Sequence, residues 1–257
     1  MDTQRQHHAD AVRQHFRRAL LASMAFVALI GAIFFATPLL GGLRGFALVP
    51  LEASGLVGIL TAPLLHGSAG HWLANASALL VLGTLVGTVY PRAALRALPV
   101  LWLGSGLVTW LIGRPSFHIG ASGLAHGLMF LLLFLGLFRR DKAAIAAALI
   151  AFFLYGGMVL TILPREPGVS WEYHLGGALA GIVAAWRWRR LDPEPPRKRY
   201  SWEIEEEQAR AQAEAESTQF EPPRPDDVPV LWERPPPPPA GVVLPFRPRR
   251  PGEDGPD

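Results

Sequence analysis

Four polar side chains stand where long apolar runs begin. Ser122 lies in Gly120-Ala121-Ser122-Gly123 at the head of one run, His71 and Asn75 open a second, and His174 opens a third. Hydrocarbon penalises polar groups, so their placement calls for a chemical reason. A serine hydroxyl becomes a nucleophile when a neighbouring base takes its proton, and an imidazole, which titrates near neutrality, suits that task. His174 is the candidate base for Ser122. His71 and Asn75 are four positions apart and share a helix face, from which both can donate hydrogen bonds to a developing oxyanion. Gly120 and Gly123 permit close backbone approach and a tight turn into a helix. The amide of Ser122 itself would then sit among the unpartnered N–H groups of a helix N-terminus.

The same residues exclude other chemistries. Glu172 is the nearest acid to His174 in sequence, but a two-residue offset turns it to another helix face, so the arrangement reads as a Ser-His dyad rather than a triad. The apolar runs hold no Asp pair and no H-E-x-x-H, which removes aspartyl and zinc proteolysis. Leu124 stands where the second glycine of a G-x-S-x-G elbow is required. With no cysteine there is no disulfide and no thiolate site, and neither a metal nor a cofactor is expected.

These groups need a scaffold, and the composition describes one. Half of the 257 residues are hydrophobic, and the net charge is only +3. Residues 19–188 are nearly free of acid, with none between Ala53 and Arg140, whereas a soluble domain carries both signs on its surface. Runs of about 20 apolar residues span a bilayer as helices. Six are present: Ala19–Leu40, His71–Tyr90, Leu95–Ile112, Ile119–Phe138, Ala143–Leu163 and the shorter Tyr173–Trp188. The fold class is therefore an all-α polytopic membrane protein, a six-transmembrane-helix bundle. The first run follows a long polar leader without an A-x-A pattern, so it does not read as a cleaved signal.

Basic residues in short connections mark the cytoplasmic side. Arg13, Arg17 and Arg18 precede the first run, Arg92 and Arg96 follow the second, Arg139, Arg140 and Lys142 follow the fourth, and Arg187, Arg189 and Arg190 close the sixth. Both termini are then inside. The second, fourth and sixth runs start at the outer face, bringing Ser122, His174, His71 and Asn75 to one depth.

Gly120-Ala121-Ser122-Gly123, His71-x-x-x-Asn75 and Tyr173-His174-Leu175-Gly176-Gly177-Ala178-Leu179-Ala180-Gly181, in that setting of spans, resemble the signatures of rhomboid intramembrane serine proteases. His66, five residues before His71, is similar to the histidine-rich start of the corresponding rhomboid span. The resemblance covers roughly residues 19–188. It implies that Ser122 is the nucleophile and His174 the general base. It also implies an oxyanion hole of His71, Asn75 and the Ser122 amide, and a partly helical first loop, about residues 41–70, lying in the outer leaflet. The chain departs from the family in three places: His126 stands where a tyrosine often stacks on the base, Tyr173 replaces the usual alanine before it, and the first loop lacks a Trp-Arg pair.

Plainer roles are expected elsewhere. Gly83/Gly87, Gly177/Gly181 and Gly123/Gly127 are spaced for helix packing. Ser77 and Ser105 should bond back to their own helices. His66 is expected to tie the loop to the second span by a hydrogen bond, and His118 reads as a wet loop residue without a role. His126 shares the face of Ser122 and either touches His174 or merely packs. Trp72 and Trp171, near the outer ends, fit an interfacial aromatic belt.

Three regions follow: a cytoplasmic leader (1–18), a rhomboid-like membrane domain (19–190), and a charged, proline-rich tail (191–257). The tail is expected to be largely disordered, with a charged helix over 201–220 and polyproline stretches beyond. The resemblance makes transmembrane proteins the substrates and a bacterial inner membrane the setting. The bilayer is the main partner, the tail offers a docking motif for a cytoplasmic protein, and nucleic acid is not a partner. Two alternatives remain: an inactive rhomboid-like protein that binds or escorts membrane clients, and a transporter, which would instead carry ionisable residues at mid-span.

Overall fold

The structure is a computed structural model that describes residues 2–40, 43–165, 167–193, 200–219 and 241. Among these residues the secondary structure is helical apart from one isolated antiparallel bridge between Leu48 and His118. The elements are α1 (Asp2–Ala36), α2 (Gly58–Thr61), α3 (Ala69–Val89), α4 (Pro91–Ile112), α5 (Ser122–Arg139), α6 (Lys142–Tyr155), α7 (Trp171–Trp188) and α8 (Ser201–Gln219). Residues up to Pro196 form one compact unit, and Arg197–Asp257 a second.

Among the described residues, five helical segments are long and apolar enough to cross a membrane: Ala9–Leu39, Ala69–Val89, Pro91–Ile112, Ser122–Arg139 and Lys142–Ile162. The chain is an integral membrane protein. The sixth expected run forms α7, 18 residues that carry Glu172 and Arg187 and much glycine and alanine. Those residues dilute its hydropathy, and protein covers it instead: α7 packs most extensively on α5 and α4.

The small residues explain how closely these helices approach. A Cβ on Gly177 would run into the carbonyl oxygen of Gly123, and one on Gly181 into that of Gly127. Both expected glycine pairs therefore form a single parallel backbone-to-backbone crossing. Gly83 and Gly87 likewise admit Ser23 and Ala19 of α1. Ser77 Oγ donates to Ala74 O and Ser105 Oγ to Trp102 O, each within its own helix. The core between α3, α4, α5 and α7 is filled by Leu82, Leu101, Met129, Leu131 and Ala184.

Two expectations are corrected, those for the fifth run and for His118. The fifth run is not one continuous α-helix: at Gly156-Gly157, weak helix formers, it tightens into a 3-10 segment, Gly156–Ile162. The polar leader, whose secondary structure the sequence leaves open, is part of α1, which begins at Asp2. Trp72 is half-buried; its ring stacks on Phe34 at 6.0 Å and presses on Gly31, joining α3 to α1. His118 is not a wet loop residue. It is buried, with Nδ1 2.5 Å from Ser170 Oγ and Nε2 2.9 Å from Arg114 O.

The first loop is partly helical, as expected, with 3-10 turns at Arg44–Phe46, Ala53–Val57 and Ala62–Leu64 around α2. Trp102 Nε1 donates to Leu60 O and Trp110 Nε1 to Glu52 O, strapping the loop to α4. At the opposite end of the bundle, Arg139 pairs with Asp141 at 2.9 Å and lies 5.4 Å from the Tyr90 ring. Asp192 there accepts from the backbone N–H of Arg92 and Ala93 at 2.9 Å each, capping the start of α4.

The second unit contains α8, the charged helix expected over 201–220, which ends at Gln219. The polyproline stretches expected beyond it, and with them the disorder of the tail, lie outside the described residues.

Candidate active site

α3, α5 and α7 start at the same end of the bundle, and their first turns carry the four polar residues. Ser122 is the first residue of α5, and no side chain caps that helix. It is preceded by Gly120 at φ +111°, a backbone conformation that L side chains rarely adopt. The glycine also makes room: a Cβ there would collide with the imidazole of His71 and lie 3.5 Å from Asn75 Nδ2. His71 and Asn75 thus crowd over the loop that delivers Ser122. Gly120 N–H donates to Ala62 O at 2.8 Å, which fixes that loop against the first one.

His71 is half-buried and held by Ser68, whose hydroxyl accepts from the His71 amide and caps α3. Asn75 is buried, and one of its two amide hydrogens is donated to His71 O at 3.1 Å. The other remains for a ligand.

His174 is buried on the first turn of α7. Its Nδ1 lies 3.0 Å from the carbonyl oxygen of Thr161. A carbonyl only accepts, so Nδ1 carries the proton and Nε2 presents a lone pair. The imidazole of His126 covers one face of the ring, centroids 3.9 Å apart and planes inclined by 12°. His126 is itself anchored at both nitrogens: Nδ1 to Ser122 O at 2.7 Å, and Nε2 to Thr161 Oγ1 at 2.9 Å and Met158 O at 3.2 Å. Of the two readings the sequence leaves open for His126, contact with His174 is the one observed.

Among the described residues no hydrogen bond joins Ser122 to His174. The two residues are brought together indirectly, by His126 and by the Gly123–Gly177 crossing just beyond them. Such bonds are often long before substrate binds.

Glu172 is fully buried and turned away from His174, as the helix offset requires. It accepts from Arg114 Nε at 2.7 Å and from the Arg114 amide at 3.2 Å. His66 is buried five residues before His71, its ring centroid 5.1 Å away. The hydrogen bond expected to tie it to the second span is not seen: among the described residues neither ring nitrogen has a well-formed partner. Burial, and then the nearby His71, push its pKa down to about 4. No group of three metal-ligating side chains occurs among the described residues.

Thr161 was not foreseen. It serves the site through its backbone oxygen and its hydroxyl, and neither the spacing nor the residue type singles it out in the sequence.

Comparison with known proteins places the chain in a family. A family model described as "Rhomboid domain" matches residues 53–191. An uncharacterized protein of Mycobacterium tuberculosis is 44% identical over 146 residues, covering 53% of this chain and 61% of that protein. An uncharacterized protein of Mycobacterium leprae is 40% identical over 145 residues, covering 53% and 57% respectively. The chain thus spans about three-fifths of the length of these relatives.

Proposed function

The chain belongs to the rhomboid family, and from that premise we propose that it is an intramembrane serine protease acting through Ser122 and His174. The observation that carries this reading is the fixed tautomer of His174: with Nδ1–H held on Thr161 O, Nε2 is the nitrogen left to accept a proton.

In the proposed reaction, Ser122 Oγ attacks the carbonyl carbon of a substrate peptide bond while His174 Nε2 takes the hydroxyl proton. The carbonyl oxygen becomes an oxyanion, which the Ser122 amide, Asn75 Nδ2 and His71 would hold. Collapse breaks the C–N bond, and the proton on His174 passes to the departing amine. Water then attacks the acyl-serine, giving a proton to His174; collapse breaks the bond from the acyl carbon to Ser122 Oγ, and His174 returns that proton to Oγ, releasing a carboxylic acid and the free serine.

The substrates on this reading are transmembrane proteins, cleaved near the membrane face where α3, α5 and α7 begin. The distribution of arginines supports six spans with both termini inside and the site toward the outer side. Helical substrate backbones hide their carbonyls, so segments that unwind readily would be preferred.

The test is labelling of the detergent-purified protein with a fluorophosphonate probe, together with cleavage of a reconstituted transmembrane substrate. Labelling and cleavage are expected in the wild type and absent in Ser122→Ala. A wild-type protein that takes no label and cleaves nothing, yet captures membrane clients, would instead be an inactive rhomboid-like escort.

A further inference from the structure

A furrow of about 1080 Å³ runs between α1 and α4, and neither Ser122 nor His174 lines it. It exists because α1 leans on α3 through the Ser23–Gly83 and Ala19–Gly87 contacts. α1 meets α4 where Phe26 sets its ring edge against Trp102, centroids 5.7 Å apart. Away from that contact the two helices diverge, and the gap is floored by apolar residues such as Leu79, Val86 and Leu128.

The open end differs in character. His15 and Arg18 of α1 and Arg92 of α4 line it. Both arginines are exposed, and among the described residues neither is in an ion pair. Asp192 also reaches the furrow, but it is buried and both its carboxylate oxygens accept backbone N–H groups rather than a guanidinium, so two positive charges against one negative leave this end net positive.

Depth selects the occupant. From Arg92 to Trp102 is ten residues of helix, about 15 Å. That is half of a hydrocarbon core of about 30 Å, so the furrow is as deep as one leaflet. A transmembrane helix would need the whole thickness. An apolar slot of one-leaflet depth, ending in two guanidinium groups at headgroup level, matches a phosphodiester with acyl chains, and the excess positive charge selects a headgroup with net negative charge.

We propose that the α1–α4 furrow binds one acidic phospholipid, its chains between Ala22 and Leu98 and its phosphate between Arg18 and Arg92.

The test counts lipids retained by the full chain. The protein is taken from bilayers of equal parts phosphatidylglycerol and phosphatidylcholine and examined by native mass spectrometry in detergent. Wild type should retain one phosphatidylglycerol, preferred over phosphatidylcholine by about thirty-fold, the figure for two basic residues near an anionic headgroup. Arg18→Gln/Arg92→Gln should retain both lipids alike. Ala22→Trp, which fills the furrow from an exposed position, should retain neither. Excess inorganic phosphate should leave the bound lipid in place. Equal retention of the two lipids by wild type, an unchanged preference in the double variant, lipid retained by Ala22→Trp, or displacement by phosphate alone would overturn the assignment. The readout is independent of proteolysis, so its failure and that of the protease reading are separable.

Discussion

His126 and His174 are stacked face to face, 3.9 Å between ring centroids. One ring is pinned at both nitrogens and the other at Nδ1, so the second cannot swing without sliding against the first. His126 is therefore a positioning residue, acting on the proposed base through ring contact.

Removing that contact should misplace Nε2 of His174. His126→Ala is expected to lower the cleavage rate by about 10²-fold, the scale of a misplacement near 1 Å. His126→Tyr, which restores an aromatic face, should recover much of it. Rates for the two variants under saturating substrate, normalised to folded protein, decide this. Equal loss in both would refute a stacking role.

Glu172 offers a clean discrimination between dyad and triad. Its carboxylate is engaged by Arg114, so Glu172→Gln should lower stability by about 1–3 kcal/mol. Fluorophosphonate labelling per folded molecule should stay within a few-fold of wild type. Thermal unfolding in detergent gives the first quantity and gel fluorescence the second.

Gly177→Ala tests the crossing that carries the site. The added methyl would meet the Gly123 carbonyl oxygen, forcing α5 and α7 apart. A loss of about 1–3 kcal/mol is expected from overpacking, and labelling of Ser122 should fall with it. Gly157→Ala, where a Cβ meets no neighbour within 4 Å, should leave the crossing intact.

His66 makes stability depend on pH. Its folded pKa of about 4 lies below its ordinary value of 6.5, so the unfolded chain binds a proton more readily than the folded one. Stability from this residue is complete above about pH 6.5, and it declines as the pH falls toward 4. The melting temperature of wild type should therefore drop more steeply across that window than that of His66→Gln. Parallel curves would mean that the buried imidazole titrates normally.

Much of this architecture was legible because apolar length, glycine spacing and isolated polar side chains are local signals. Ser122, His71, Asn75 and His174 stood out against hydrocarbon, and the helix offset already turned Glu172 from His174. What was hidden shares one property: the partner is either a backbone atom or a side chain remote in sequence. Thr161 positions His174 through a carbonyl that every residue type possesses. Asp192 caps a helix through the amide of Arg92, 100 positions earlier. His118 reads as a loop residue until the first loop folds back on it. The 3-10 segment had a local sign in Gly156-Gly157, but apolar continuity outweighed it.

α1 has one more consequence. Thirty-five helical residues extend about 52 Å, well beyond the thickness of a hydrocarbon core. With no proline to absorb a bend, the helix is mechanically continuous from the polar surroundings to the Gly31–Trp72 contact. Inserting one residue after Arg18 would turn everything before it by about 100° relative to the bundle, so the azimuth of that protruding arm is set by its residue count.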